Sequence, residues 1–278
     1  MKHLVLILFT CLALPFYSQK DTLKTNTKKK HYVYYTWGYT RAWYSTSTIH
    51  FVDKSNKYHP VTGNYNYYDF TIEKVHATDR SDFNKIKDVI NITIPQFVSR
   101  LGFHITKKWD FEINYDHAKY VVDDGQRAHI KGQIFGQPVD KDTTLTPALL
   151  HFEHTDGANF WMFNAVRKFN LIKRGDLFNA SWVLKPGAGF VFPRTDVTMF
   201  GERLNNNWHI SGWIVGVESG LRLQFLTHGF FEFVGKGVFA DYTKCLLLGK
   251  GNGSANHHFF AAQLTATIGY KFTSKTKN

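Results

Sequence analysis

Cysteine is nearly absent from these 278 residues: Cys11 and Cys245 are the only two. Cys11 lies in an N-terminal apolar run. If that run is removed, no intrachain disulfide remains and stability must come from secondary structure and packing. Long apolar stretches are missing as well. Beyond residue 19 no window approaches 18 consecutive apolar residues, which excludes a helical membrane span and with it an inner-membrane protein. There is no internal repeat, no low-complexity tract and no linker beyond Lys20 to Lys30, so the rest reads as one domain.

What is present begins with Lys2, an apolar run from Leu4 to Leu14, Pro15 and the small residue Ser18. That order of charge, apolar core and small residue predicts a secretory signal peptide over 1–19, followed by a polar segment over 20–30. An acylated Cys11 fits less well, because Phe9-Thr10 is a poor pair before such a cysteine and the apolar run continues past it. Export without a helical anchor leaves the periplasm, the outer membrane or the outside. The formal charge of +12 is partly concentrated in Lys20 to Lys30 and in the tail 273–278. Solvated tails and loops near anionic head groups explain it better than nucleic-acid binding does.

Aromatic residues make up 17% of the chain, yet its mean hydropathy is −0.30. Periodicity reconciles the two. From His258 to Phe272 the residues His258, Phe260, Ala262, Leu264, Ala266, Ile268, Tyr270 and Phe272 share one face. Phe259, Ala261, Gln263, Thr265, Thr267, Gly269 and Lys271 share the other. One face is apolar and one polar over a length able to cross a bilayer, and the pattern recurs. Candidate strands fall at about 32–44, 46–53, 66–76, 91–105, 109–121, 126–135, 148–155, 159–172, 177–192, 208–225, 229–246 and 257–272. Tyr35, Trp37, Tyr39 and Trp43 on the first are expected to face lipid or the interfacial girdle.

Strands joined by a tight turn must agree about faces. A turn at 226–228 sets Arg222 opposite Glu232 and Glu218 opposite Lys236. A turn at 106–108 pairs Phe103 with Phe111 and Leu101 with Ile113, and sets His104 opposite Asp110. A turn at Arg174-Gly175 pairs Phe169 with Ala180 and Lys168 with Ser181, leaving Arg167 on the lipid side, where it must snorkel or sit near an interface. Asp156-Gly157 pairs Phe152 with Trp161 and Leu150 with Phe163. These short turns lie on one side, while 193–207 and 247–256 lie on the other. The fold class expected is therefore all-β, a transmembrane antiparallel up-and-down β-barrel over 31–272. Twelve strands satisfy every placement, with ten as the alternative; the count depends on 46–53, 126–135 and 148–155.

The polar faces collect the residues expected to line the lumen: Arg100, His104, Glu112, Asp116, Lys168, Lys185, Glu218, Arg222, Glu232 and Lys236. Asp69, Glu73, His151 and Glu153 join them by alternation. Acids and bases interleave, so they can pair across a narrow ring. The alternation ending in Tyr270-Lys271-Phe272 resembles the C-terminal assembly signal of small outer-membrane β-barrel proteins of Gram-negative bacteria, and the resemblance covers the whole mature chain. It implies residence in the outer membrane, insertion by the outer-membrane assembly machinery and contact with outer-membrane lipids including lipopolysaccharide. It leaves membrane or periplasmic protein partners unnamed.

Two chemical readings stand beside this. His209-Ile210-Ser211 is similar to the His-x-Ser pair of outer-membrane lipid A deacylases, with His209 as base and Ser211 as nucleophile. Register puts both on the lipid face, but Glu218, the nearest downstream carboxylate, falls on the opposite one. Interface residues flanking a loop are the simpler account. His151, Glu153, His154 and Asp156 have metal-ligating chemistry, but alternation splits them, and a hairpin turn explains the cluster. His257-His258 reads as a rim feature. The glycine-rich stretch 250–254 lacks the helix a phosphate-binding loop needs. The function expected is non-enzymatic, a narrow channel or a structural or assembly component of the outer membrane, with no cofactor and no metal. A lipid A-modifying acyl hydrolase is the alternative.

Overall fold

The computed structural model describes residues 32–59, 62–65, 67–79, 96–154, 156–174, 177–205, 207–248 and 252–273, and among them there are strands and no helix. The signal peptide assigned to 1–19, the polar segment 20–30 and all but Thr273 of the tail lie outside the described residues. Eight antiparallel strands form a ring: β1 (Tyr32–Tyr44), β2 (Phe97–His104), β3 (Trp109–Asp116), β4 (Phe160–Arg174), β5 (Phe178–Val191), β6 (Gly212–Phe225), β7 (Gly229–Leu248) and β8 (Asn252–Thr273). Each pairs with the next, and β8 returns to β1 from Tyr32↔Thr273 to Tyr44↔Ala261. Closure leaves the spanning sheet without an edge, the condition for backbone polar groups to survive in hydrocarbon.

Alternation sorts the side chains. On β8, Phe260, Leu264, Ile268, Tyr270 and Phe272 are exposed on the outer face, while Phe259, Gln263, Thr265 and Thr267 are buried inside. The outer face carries aromatic residues at both ends, with Trp43, Trp213 and Phe260 towards one rim and Tyr35, Trp109 and Phe272 towards the other. An apolar surface of this extent is unstable in water and matches an acyl-chain solvent banded by interfacial aromatics. Arg167 also faces outward. Its guanidinium lies over the Trp109 ring at 5.0 Å and the Phe169 ring at 5.4 Å, so π-faces accommodate the charge.

The connections 105–108, 175–177 and 226–228 are short and share one end of the ring, the turn end. At the other, the loop end, the segments 45–96, 117–159 and 192–211 are long. The expectation of twelve strands meets a sheet that does hold twelve, but only eight close the ring. The reason is the length of β8. It runs past the end of β1, and its first residues pair with a strand outside the ring, Ser254↔Val52 to Asn256↔His50. The sheet therefore continues off the ring through Ser47–Asp53, Tyr68–Val75, Arg127–Ile134 and Gln137–Thr144.

The β6–β7 and β2–β3 registers are those the sequence predicts, with Arg222↔Glu232, Glu218↔Lys236, Phe103↔Phe111 and His104↔Asp110. The β4–β5 hairpin differs by two residues: Phe169 pairs with Trp182 and Lys168 with Val183. A bulge at Leu171, between Asn170 and Ile172, takes up chain that a tight turn cannot; up to Asn170 the shift of two preserves the faces, and beyond the bulge Ile172 turns outward opposite Ala180. The Phe152–Trp161 hairpin does not form. Leu150–His154 pairs instead with Asp196–Met199 and Tyr120–Val122, and Trp161 pairs with Tyr115 and Phe190.

Inside the ring, aromatic side chains lie flat across facing glycines. Tyr34 pairs with Gly102 and Phe230 with Gly269. A Cβ at Gly102 would meet Tyr34 Cζ at 1.9 Å, and one at Gly269 would meet Phe230 Cζ at 2.2 Å. Both rings are fully buried, so they have no free direction in which to retreat. Gly269→Val should destabilise the barrel by about 1–3 kcal/mol through overpacking. The check is a lower temperature for conversion of the compact gel band to the unfolded one in detergent, and an unchanged temperature would refute the account.

Candidate functional site

The residues facing the turn-end half of the lumen form one buried ionic network. Arg100 Nη1 lies 3.0 Å from Glu218 Oε2 and 3.2 Å from Glu232 Oε1. Lys185 Nζ is 3.0 Å from Glu112 Oε1 and also bonds Glu232. Arg222 Nε donates to Glu232 Oε2 at 2.6 Å, and its Nη1 is 3.4 Å from Asp110 Oδ2. Lys236 bonds Asp116 and lies 3.4 Å from Glu218, while Lys168 and His104 both meet Asp110 at the turn end. Arg100, Lys168, Lys185, Arg222 and Lys236 thus stand against Asp110, Glu112, Asp116, Glu218 and Glu232, equal numbers of each sign. Except for Lys168 these ions are at most 4% exposed.

Two members were not singled out as lumen residues from the sequence. Asp110 was seen only as the partner of His104. The other is Tyr34, whose hydroxyl donates to Glu112 Oε2 at 2.8 Å and accepts from Arg222 at 3.2 Å. Alternation with Tyr35 was the available signal. Asp69, Glu73, His151 and Glu153 do not line the lumen, because their strands leave the ring. Asp69 bonds His50 at 2.7 Å and Lys54 at 2.8 Å instead.

Towards the loop end the inner faces of the same strands turn apolar, with Phe160, Met162, Ile214, Val238, Ala240, Tyr242 and Phe259 buried. They share one core with residues from the long connections. Ser47–Asp53 and Tyr68–Val75 supply Ile49, Phe51, Phe70 and Ile72. A second five-stranded sheet, containing Ala77–Thr78, Tyr120–Val122, Leu150–His154, Asp196–Met199 and Glu202–Asn205, supplies Val122, Phe152 and Val197. Phe51 and Phe152 meet edge to face, with centroids 5.6 Å apart, where the two sheets pack. The connections build a folded domain, and its core plugs the loop-end mouth.

The His151, Glu153, His154 and Asp156 cluster divides. The His151 ring sits between Asp124, 2.9 Å from Nδ1, and Glu153, 3.0 Å from Nε2. The Glu153 hydrogen bond chiefly, then Asp124, raises its pKa to about 9 against the opposing effect of burial. Asp156 binds Arg194 at 2.8 Å. His154 points into the core, where its Nε2 lies 3.1 Å from Nε2 of His257 and 3.9 Å from Sγ of Cys245. The three ligand atoms fall within 4.8 Å of one another, and all three residues are buried. Burial holds the pKa of His154 well below the ordinary imidazole range. His154 lies 91 residues before Cys245 and belongs to a different sheet, so alternation gives no sign of the cluster, whereas Cys245 and His257 share the β7–β8 hairpin.

The His209 and Ser211 pair is not assembled for catalysis. Ser211 is buried rather than lipid-facing, and its Oγ donates to the Lys244 carbonyl at 2.6 Å. His209 Nε2 lies 2.7 Å from the same carbonyl. Both side chains tie the connection before β6 to β7, and neither is directed at the other as base and nucleophile.

No family model matches the chain, and no curated protein matches it. Solved structures that resemble it are outer-membrane β-barrels. They include OprG of Pseudomonas aeruginosa, 11% identical over 89% of this chain and 98% of that one, with a TM-score of 0.38. Neisserial surface protein A is 9% identical over 87% and 97%, with a TM-score of 0.33. AlkL, solved in lipid bilayers, is 8% identical over 94% and 99%, with a TM-score of 0.34. The fold assignment rests on the closed ring itself.

Two outcomes follow from the charges. Lys185→Met leaves Glu112 and Glu232 short of a base in a fully buried site. It should cost about 3–5 kcal/mol in urea unfolding from lipid vesicles, with much of the loss recovered by adding Glu232→Gln. An additive double variant would contradict the network. For His151, a folded-state pKa raised above its unfolded value stabilises the loop-end domain fully below about pH 6.5, and that contribution disappears as pH rises through about 9. Proteolysis of the connections should therefore quicken between these limits in the wild type, and His151→Gln should flatten the difference.

Proposed function

We propose that the protein is an integral outer-membrane barrel that is sealed rather than conducting, and that its role is to hold the loop-end domain rigidly at the cell surface. One observation carries this reading. The lumen is closed twice, by the interlocked ions around Arg100, Lys185 and Glu232 in the turn-end half and by the aromatic core around Phe152, Tyr242 and Phe259 at the loop end. A diffusion path would need the ionic layer to part, and each released ion would then lose several hydrogen bonds in a poorly hydrated interior. Short turns at one end and three long connections at the other support an orientation with the turn end in the periplasm and the loop domain outside. The outer aromatic bands meet acyl chains and head groups, including those of lipopolysaccharide, and the final alternating strand suits recognition by the outer-membrane assembly machinery.

This is the structural branch of the alternatives open from the sequence, and it favours neither the channel nor the acyl hydrolase. The folded protein in planar bilayers should show no unitary conductance, and Arg222→Ala or Glu232→Ala should introduce a leak. Steady conductance steps from the wild type would overturn the sealed reading. In intact cells, a membrane-impermeant amine reagent should label Lys131 and Lys141 on the exposed hairpin Arg127–Thr144. Labelling that required permeabilisation would overturn the orientation.

A further inference from the structure

We propose that His154, His257 and Cys245 form a binding site for monovalent copper in the core of the loop-end domain. The three come from separate parts of the fold: the end of strand Leu150–His154, the far part of β7 and the far part of β8. The β7–β8 hairpin brings Cys245 and His257 together, and the loop-built sheet adds His154. Two Nε2 atoms 3.1 Å apart with a thiol sulfur 3.9 Å from one of them leave room for a shared ion. Imidazole nitrogens about 2.0–2.1 Å and a thiolate about 2.3 Å from such an ion fit these two spacings, and because all three ligand atoms lie within 4.8 Å of one another, a small shift of the Cys245 sulfur brings it into reach of both rings.

The imidazoles are held for ligation from behind. Ser47 Oγ donates to the His258 carbonyl at 3.0 Å, so towards His257 Nδ1, 3.4 Å away, it is left to accept. A proton on Nδ1 leaves the lone pair of His257 Nε2 facing the cluster. Thr195 Oγ1 lies 3.2 Å from Nδ1 of His154, and Ser211 Oγ lies 3.5 Å from the sulfur. Hydroxyls that fix ring tautomers and orient ligand atoms in this way accompany built metal sites. Without an ion, the two facing Nε2 atoms can share at most one hydrogen, a poor use of two histidines in an apolar core.

Charge selects the ion. The surroundings are rings: Tyr242 stacks on both imidazoles with centroids 4.8 Å away, and Phe152 lies edge-on to both. Among the described residues no carboxylate joins the cluster. One thiolate exactly balances one monovalent cation, so the complex is neutral and can be buried without a compensating acid. A divalent ion would leave an unpaired positive charge in a dry core and would also call for a fourth ligand. Thiolate and imidazole are the ligands a soft ion selects, and three suffice for it. On binding, the Cys245 S–H bond is broken, the S–Cu bond forms and the proton leaves to solvent, with no change of oxidation state.

The test uses the full chain folded in detergent without oxygen, with Cu(I) supplied either after folding or during it, and a chromophoric Cu(I) chelator competing. One ion per chain should bind, with ultraviolet thiolate-to-metal absorption and protection of Cys245 from alkylation. Cys245→Ser and His257→Gln should each weaken binding by more than about 100-fold and Thr195→Val by about 10-fold, while the heat-modifiable gel shift confirms that each variant is folded. If a variant fails to fold, copper-dependent protection of Cys245 in the wild type still decides. No stoichiometric binding by the wild type under either loading condition, or binding unchanged in Cys245→Ser, would overturn the site. Retention of Zn(II) against competing Cu(I) would overturn the choice of ion.

Discussion

A ring of eight strands is so narrow that side chains from opposite walls touch, and every inward residue must find its partner among other inward residues. That constraint governs the rest of the molecule. Charges placed there cannot be left to water, so acids and bases interleave and interlock through shared partners. Glu232 alone meets Arg100, Lys185 and Arg222. Where space runs short, glycines admit aromatic rings laid across the strand, as Tyr34 over Gly102 and Phe230 over Gly269 show. The outer face, freed from any packing partner within the protein, is left to the acyl chains.

The same strands serve two solvents and two cores. β7 and β8 span 20 and 22 residues, more than a bilayer crossing needs. Their inner faces pass from Glu232 and Lys236 to Val238, Ala240 and Tyr242 without a break in pairing. The surplus length turns barrel wall into a scaffold for the connections. The loop-end domain is consequently continuous with the ring through Ser254 to Asn256 and through a common hydrophobic cluster, so it is held rigidly. A preformed surface at the end of a sealed, charge-locked stalk suits presentation better than transport.

The buried histidines and cysteine sharpen this picture. Loop-built domains with small cores gain much from a single cross-link between distant segments, and Cys245, the one cysteine among the described residues, is in no disulfide. A metal joining the strand Leu150–His154 to β7 and β8 would tie the second sheet to the barrel rim at the point where their cores merge.

Period-two alternation, the hairpin turns and the balance of charge on the polar faces were all legible in the amino-acid order. They are local, and strand geometry converts them directly into faces, ends and cross-strand pairs such as Arg222 with Glu232. Whether an apolar face meets lipid or another sheet was not legible, because Phe51 and Phe152 alternate in the same way as Phe231 and Phe233 and differ only in what folds over them. Nor could the order of residues show that Leu171 bulges, that eight strands rather than twelve close the ring, or that His154, Cys245 and His257 meet. Each of those depends on which segments pair and pack, and for the ring and the cluster these lie dozens to hundreds of residues apart, so only the closed sheet decides it.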